Sequence, residues 1–271
     1  MYLSHWGLRE SPFHTALDPK TYYASPTHEE ALARLHFLVE DRRRLGLLLG
    51  GRGSGKSLLF RVFLPQLRKA GRQTAALNLL GLDVREFLWT LAAELAINPR
   101  PDDHSFVLWR RIVDRLTENR YQQLSTVIFL DDADGARREV LSHVVRLLQH
   151  DPSPENPLTV ILASDPRRVG KLGRRLLDLA ELRIEVEPWD AAETSEYLRS
   201  RTTQAGGQSP IFQPSAAARL HKLAKGAPRR LSQLAELTLV AGAGQHLESI
   251  GESTIDSVYE ELSVLRPEVA S

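Results

Sequence analysis

The chain has 271 residues, 42% of them apolar and 25% charged, an ordinary composition for a folded protein and one that excludes whole-chain disorder. Its net charge of +1 argues against a dedicated, strongly basic nucleic-acid binder while leaving local basic patches open. With no cysteine, disulfides and thiolate metal sites are excluded. The opening residues lack a signal-peptide pattern and no apolar run reaches about 18 positions, so the expectation is a cytoplasmic protein without a membrane span.

In chain order, residues 1–27 are rich in aromatics and turn formers and read as an ordered N-terminal wrap. Ala31, Leu32, Leu35 and Val39 then recur at helical spacing between Ser25 or Thr27 and about Arg43. The apolar run "LGLLLGG" predicts a strand, followed by a Gly-rich turn and a helix over "KSLLFRVFLPQLRKAG" that Gly71 ends. "TAALNLLG" predicts a strand, and Asp83 with Glu86 caps a helix carrying Phe87, Leu91 and Leu95. A helix over about 105–122, a strand at "TVIFLDD", a helix over 136–149, a strand at "PLTVILAS", a helix over 166–180 and a strand at "LRIEVE" complete the alternation. Such alternation implies an α/β fold with a mostly parallel sheet covered by helices. Beyond Pro188 only helical patterns remain, at roughly 190–205, 214–225, 228–243 and 253–265, which predicts a small all-helical second domain.

Residues 50–57, "GGRGSGKS", match G-x-x-x-x-G-K-[ST] in full. The motif joins a predicted strand to a predicted helix, where loop N–H groups and the helix N-terminus favour a phosphate. The backbone from Gly50 through Arg52, Gly53, Ser54 and Gly55 to Leu58 would cradle the phosphates, Gly51 included. Lys56 would reach the β- and γ-phosphates of ATP and Ser57 would ligate Mg²⁺. A Gly-rich turn that merely carries a lysine fits this strand–loop–helix setting less well.

The strand "VIFLDDAD" ends in Asp131, Asp132 and Asp134, and carboxylates there need water, a cation or donors to compensate them. Asp131 has the position of a Mg²⁺-holding aspartate, and Asp132 is placed to orient and deprotonate an attacking water. Asp134 reads as a solvated residue at the start of a helix.

"MYLSHWGLRESPF", "DPKTYY", "SPTHEEALARL", the phosphate loop, "FLDDAD", "RLLDLAELRIEVEPWDAAETSEYLRSR" and "GAPRRLSQLAE" follow in order. Together they resemble the AAA+ ATPases of the ExeA-like group, general secretion pathway protein A, whose relatives include transposition ATPases of the TniB/TnsC type. The resemblance implies a P-loop NTPase core with a C-terminal helical lid. The expected divisions are an N-terminal wrap and helix over 1–40, the nucleotide-binding core over 41–188 and the lid over 189–271. It also implies homo-oligomers with nucleotide at subunit boundaries, a protein partner, and a second sensor arginine in a G-x-P-R motif, here Gly226, Pro228 and Arg229.

Three departures from the family pattern bear on function. The family's Asp-Glu is Asp131-Asp132 here, and one methylene fewer shortens reach by about 1.5 Å. A misplacement near 1 Å costs on the order of 10²-fold in rate, so slow hydrolysis is expected. The usual amide sensor is replaced by Ser164-Asp165-Pro166. A carboxylate would repel the γ-phosphate, so either Ser164 takes the sensor role or Asp165 turns away. The chain also stops after the lid, so the membrane span and peptidoglycan-binding module of secretion members cannot be carried over.

Arg174 and Arg175 lie where a trans-acting arginine finger usually sits, with a solvated basic helix face as the competing reading. Arg42 to Arg44 and Arg137 with Arg138 are candidates for tracking a nucleic-acid backbone, or a plain charged surface. Tyr22 and Tyr23 either pack near adenine or, the better reading, anchor the N-terminal wrap on the core. The leading expectation is a slow, Mg²⁺-dependent ATPase coupling nucleotide state to assembly. Its rivals are a switch that does not hydrolyse, a DNA-binding regulator of the transposition type and, more distantly, a small-molecule kinase.

Overall fold

The computed structural model describes residues 2–13, 18–151, 153 and 156–264. They form two compact units: an α/β unit of His28–Gly51 and Lys56–Val186, and a helical unit of the residues up to Thr27, Arg52–Gly55 and the chain from Glu187 onward. The chain opens with a single-turn helix α1 (Tyr2–His5), and α2 (Pro26–Glu40) leads into β1 (Leu45–Gly50). Then come α3 (Lys56–Lys69), β2 (Gln73–Asn78), α4 (Val84–Glu94), α5 (Ser105–Tyr121), β3 (Thr126–Asp131), α6 (Arg138–Gln149) and β4 (Leu158–Ser164). After α7 (Arg174–Leu179) and β5 (Leu182–Val186), the remaining helices are α8 (Ala191–Gln204), α9 (Pro214–Ala224), α10 (Pro228–Gly244) and α11 (Glu252–Val264).

The α/β unit holds a five-stranded sheet in the order β2-β3-β4-β1-β5, and every pairing is parallel. β1 and β4 are buried along their whole length, which is why both read as unbroken apolar runs and not as alternating ones. Leu45, Leu47, Leu49, Ile128, Leu130, Val160 and Leu162 pack in one core with Phe87, Leu91, Ile112, Val140 and Val144 from α4, α5 and α6. Phe60 and Phe63 of α3 pack edge-to-face against Phe129 of β3. Because all strands run the same way, the residues that follow β1, β3 and β4 gather at the C-terminal end of the sheet, where open α/β sheets bind ligands.

The predicted helix over 166–180 is instead two pieces. A 3-10 helix (Pro166–Leu172), capped by Asp165 with Pro at its start, ends at Gly173, whose φ of +83° turns the chain before α7 begins.

In the helical unit α8 opens with a complete capping box, Asp190 accepting from the Glu193 N–H and Glu193 from the Asp190 N–H. α8 to α11 bury Tyr197, Leu198, Leu220, Leu231, Leu234, Leu239 and Ile255 together with Trp6, Leu8 and Phe13 from the start of the chain. The Trp6 indole donates to the carbonyl of Leu239 at 2.8 Å. Tyr23 stacks edge-on against Trp189 and Tyr197 at 5.6 and 5.3 Å between ring centroids. The tyrosine therefore anchors the N-terminal segment on the helical unit, correcting the expectation that it does so on the core. One isolated parallel bridge, Phe212 to Ile250, interrupts the otherwise helical character. Among the described residues no helix is long and apolar enough to cross a membrane.

Candidate functional site

β1 delivers Gly50 and Gly51 to the C-terminal end of the sheet, and α3 starts at Lys56. The loop turns through Gly53 and Gly55 at φ +80° and +100°, conformations that side chains with a Cβ rarely take. Lys56 Nζ donates to the carbonyls of Gly50 at 2.6 Å and Gly51 at 3.2 Å. Burial pushes its ammonium below the ordinary lysine value, and Asp131, Asp132, Asp165 and Asp134 act in the opposite direction.

The Ser57 hydroxyl donates to Asp131 Oδ2. Burial holds the Asp131 carboxyl above the usual range, reinforced by Asp132, while the Ser57 hydroxyl, the Asp132 N–H and Lys56 pull it down. Ser57 and Asp131 thus present two hard oxygen ligands on one side of a position flanked by Lys56. Among the described residues no three His, Asp or Glu side chains make a metal site of their own. The donor chemistry fits Mg²⁺, which binds through one or two protein oxygens and takes its remaining ligands from phosphate and water.

Asp132 follows in a left-handed conformation, φ 50° and ψ 39°. Its Oδ2 accepts from Asn78 Nδ2 at 2.7 Å, and Asn78 Oδ1 accepts the Leu80 N–H at 2.8 Å. Asn78 ends β2 in register with Asp131. It escaped the sequence reading, whose only signal was a polar residue closing an apolar strand just as Asp131 closes β3.

Asp134 is buried, and its Oδ2 lies 3.0 Å from Arg168 Nε. The expectation of a solvated helix-start residue is therefore corrected: a guanidinium one strand away compensates it. Ser164 is fully buried and donates to the Asp165 carbonyl at 3.2 Å. The Asp165 carboxylate accepts from the Arg167 N–H, Nε and NH2 at 2.9, 3.1 and 2.8 Å. These bonds bring its pKa down from the ordinary 3.8 to about 2. Both alternatives for this position are therefore engaged, Ser164 through its hydroxyl and Asp165 through its carboxylate.

Within the helical unit the G-x-P-R motif is built against the loop. Gly226 has φ +67°, and a Cβ there would lie 2.2 Å from the Trp189 carbonyl oxygen. That fixes the entry to α10, where the Arg229 N–H donates to the Gly53 carbonyl at 3.2 Å. A Cβ on Gly53 would come within 3.1 Å of the Arg229 Cβ, so a side chain at Gly53 would crowd this cradle. The neighbouring Arg230 donates to the Leu223 carbonyl and lies over the Tyr259 ring. Arg52 is exposed, Ser54 buried and Leu58 half-buried.

Elsewhere the basic candidates divide. Arg44 donates to the carbonyls of Leu148, Asp151 and Ser153 at 3.4, 2.6 and 2.6 Å, and Arg43 pairs with Asp41 at 2.6 Å. Arg44 is thereby a structural bolt, which corrects the expectation that it tracks a nucleic-acid backbone, while Arg42, Arg43, Arg137 and Arg138 are exposed. Arg174 is 95% exposed with Asp178 3.6 Å away. Arg175 donates to Gln149 Oε1 at 3.0 Å.

A parallel sheet in this order, with a phosphate-loop motif after β1 and an aspartate closing β3, is the fold of the P-loop ATPases. Residues 39–172 match the AAA domain family. Over 272 aligned residues it is 29% identical to general secretion pathway protein A of Aeromonas hydrophila, covering 99% of this chain and 50% of that protein. The chain thus spans about half the length of that relative. Among solved structures it is similar to Cdc6p of Pyrobaculum aerophilum, with a TM-score of 0.71 at 17% identity over 90% of this chain and 70% of the other. Drosophila ORC bound to DNA gives a TM-score of 0.72 at 15% identity, covering 94% and 65%. The RuvB Holliday junction branch migration motor of Thermotoga maritima gives 0.60 at 15% identity, covering 93% and 74%. At such identities these structures establish the fold alone.

Proposed function

We propose that the chain binds ATP with Mg²⁺ in the loop 50–58 and hydrolyses it slowly, nucleotide state controlling homo-oligomer assembly and engagement of a protein partner on the cytoplasmic side. The observation that carries this reading is the Ser57–Asp131 contact beside Lys56 at the loop's exit. Loop amides and Lys56 bind the phosphates, and Ser57 with Asp131 holds the metal, which neutralises charge on the phosphate oxygens. Asp132 orients the attacking water and accepts its proton, while Arg229, whose backbone is tied to Gly53, responds to the γ-phosphate. Ser164 serves as the first sensor, its hydroxyl leaving the Asp165 carbonyl to do so, while the Asp165 carboxylate is engaged by Arg167.

Slow turnover is supported by two features. Asp132 is a methylene shorter than a glutamate, and its carboxylate is held by Asn78, so it must leave that amide to act. ATP turnover of the wild type against Lys56→Ala and Asp132→Asn tests the assignment: both variants should lose most activity, and equal rates in all three would sink it. Asp132→Glu separates a slow motor from a switch that does not hydrolyse, a large gain marking the native carboxylate as under-reaching. The DNA-regulator reading draws on the likeness to a DNA-bound ORC and loses Arg44 to structural bonds. DNA affinity that appears only with ATP would revive it.

A further inference from the structure

An open surface cavity of about 430 Å³, bordered by α5, α6 and α7 of the α/β unit and with its polar lining residues exposed, takes no part in the reading above. Trp109, Ser142, Arg146, Gln149, His150 and Arg175 line it, and none of its lining residues is acidic. We infer that this cavity is a second anion site, one that binds the phosphoryl group of a small phosphorylated molecule.

The guanidinium carbon of Arg146 stands 4.0 Å from the centroid of the Trp109 ring. Stacking uses the face of the guanidinium and leaves its in-plane N–H groups to donate, while restricting its rotamers before any ligand arrives. Arg175 is tethered from α7 by its bond to Gln149. Among the described residues neither arginine forms an ion pair, in contrast to Arg110, Arg111, Arg115, Arg120, Arg168 and Arg174 of the same unit. Arg146 in the last turn of α6 also offsets the partial negative charge of that helix end, but this role requires neither Arg175 nor a cavity.

Phosphate suits the site better than a carboxylate. Two guanidiniums, an imidazole and an amide supply more donors than two coplanar oxygens can accept, the Ser142 hydroxyl being engaged by the Arg138 carbonyl. A tetrahedral phosphoryl group offers oxygens in several directions and carries up to two charges.

The test follows the indole N–H resonance of Trp109 in the full chain during titration with pyrophosphate. A saturable shift is expected in the wild type and in the surface control Arg110→Gln, with a midpoint raised about tenfold or more in Arg175→Gln and in Arg146→Gln. An unmoved Trp109 resonance would overturn the inference, as would midpoints unchanged in both pocket variants. A response abolished by Lys56→Ala would assign it to the loop at residues 50–57 instead. A glutamate-rich peptide binding as tightly as pyrophosphate would make charge alone the determinant and overturn the phosphoryl assignment.

Discussion

Replacing Asn78 with alanine releases the carboxylate on which the slow-turnover reading depends. The amide of Asn78 lies 2.7 Å from Asp132 Oδ2 and the opposite end of the same amide accepts the Leu80 N–H at 2.8 Å, so the side chain is held at both ends and acts as a fixed donor. A hydrogen bond to a charged group contributes about 1.5–3 kcal/mol, and solvent access at both residues places this one at the low end, about 1.5 kcal/mol. At roughly 1.4 kcal/mol per tenfold, Asp132 spends about one-tenth as much time free of the amide as it would without it. Asn78→Ala is therefore expected to raise kcat by up to about tenfold with KM nearly unchanged. Steady-state phosphate release at saturating Mg-ATP measures this. An unchanged or lower kcat would refute the reasoning, because Asn78 would then be positioning Asp132 for reaction and not restraining it.

Two further perturbations test the surrounding structure. Gly226→Ala must place a Cβ 2.2 Å from the Trp189 carbonyl at φ +67°, and is expected to cost roughly 2–5 kcal/mol in denaturant-induced unfolding; a loss below about 1 kcal/mol would show that the entry to α10 readily adapts. Arg167→Ala removes the partner that lowers Asp165 to a pKa of about 2 from the ordinary 3.8. A carboxyl depressed on folding stabilises the protein above its unfolded pKa and loses that contribution as pH falls through the folded one. The wild-type advantage in melting temperature should therefore be full above about pH 4 and fade towards pH 2, whereas an advantage independent of pH would exclude the ion pair as its cause.

How much of this was legible in the sequence follows from the range of the interactions. The strand–loop–helix around residues 45–69 and the capping boxes of Asp83 with Glu86 and Asp190 with Glu193 are local, and periodicity and cap spacing suffice to read them. The parallel sheet was equally legible, since strands buried on both faces leave long apolar runs. Asp134 was misread because its compensating charge, Arg168, lies beyond β4, and no local pattern pairs them. Asn78 was missed because only the register of β2 against β3 brings it beside Asp132. The helix expected over 166–180 ignored Gly170 and Gly173, and it is at Gly173 that the chain leaves the helical region. Tyr23 shows the same limit, its partners Trp189 and Tyr197 lying more than 160 residues away.

Equilibrium binding of ATP in the presence of Mg²⁺, compared between the wild type and Lys56→Ala, tests the central claim most directly. A lysine donating to phosphate oxygens contributes about 1.5–3 kcal/mol, so Lys56→Ala should weaken binding at least about tenfold, and withholding Mg²⁺ should weaken the wild type in turn. Equal affinities for the two proteins, or a wild type that binds no ATP, would contradict it.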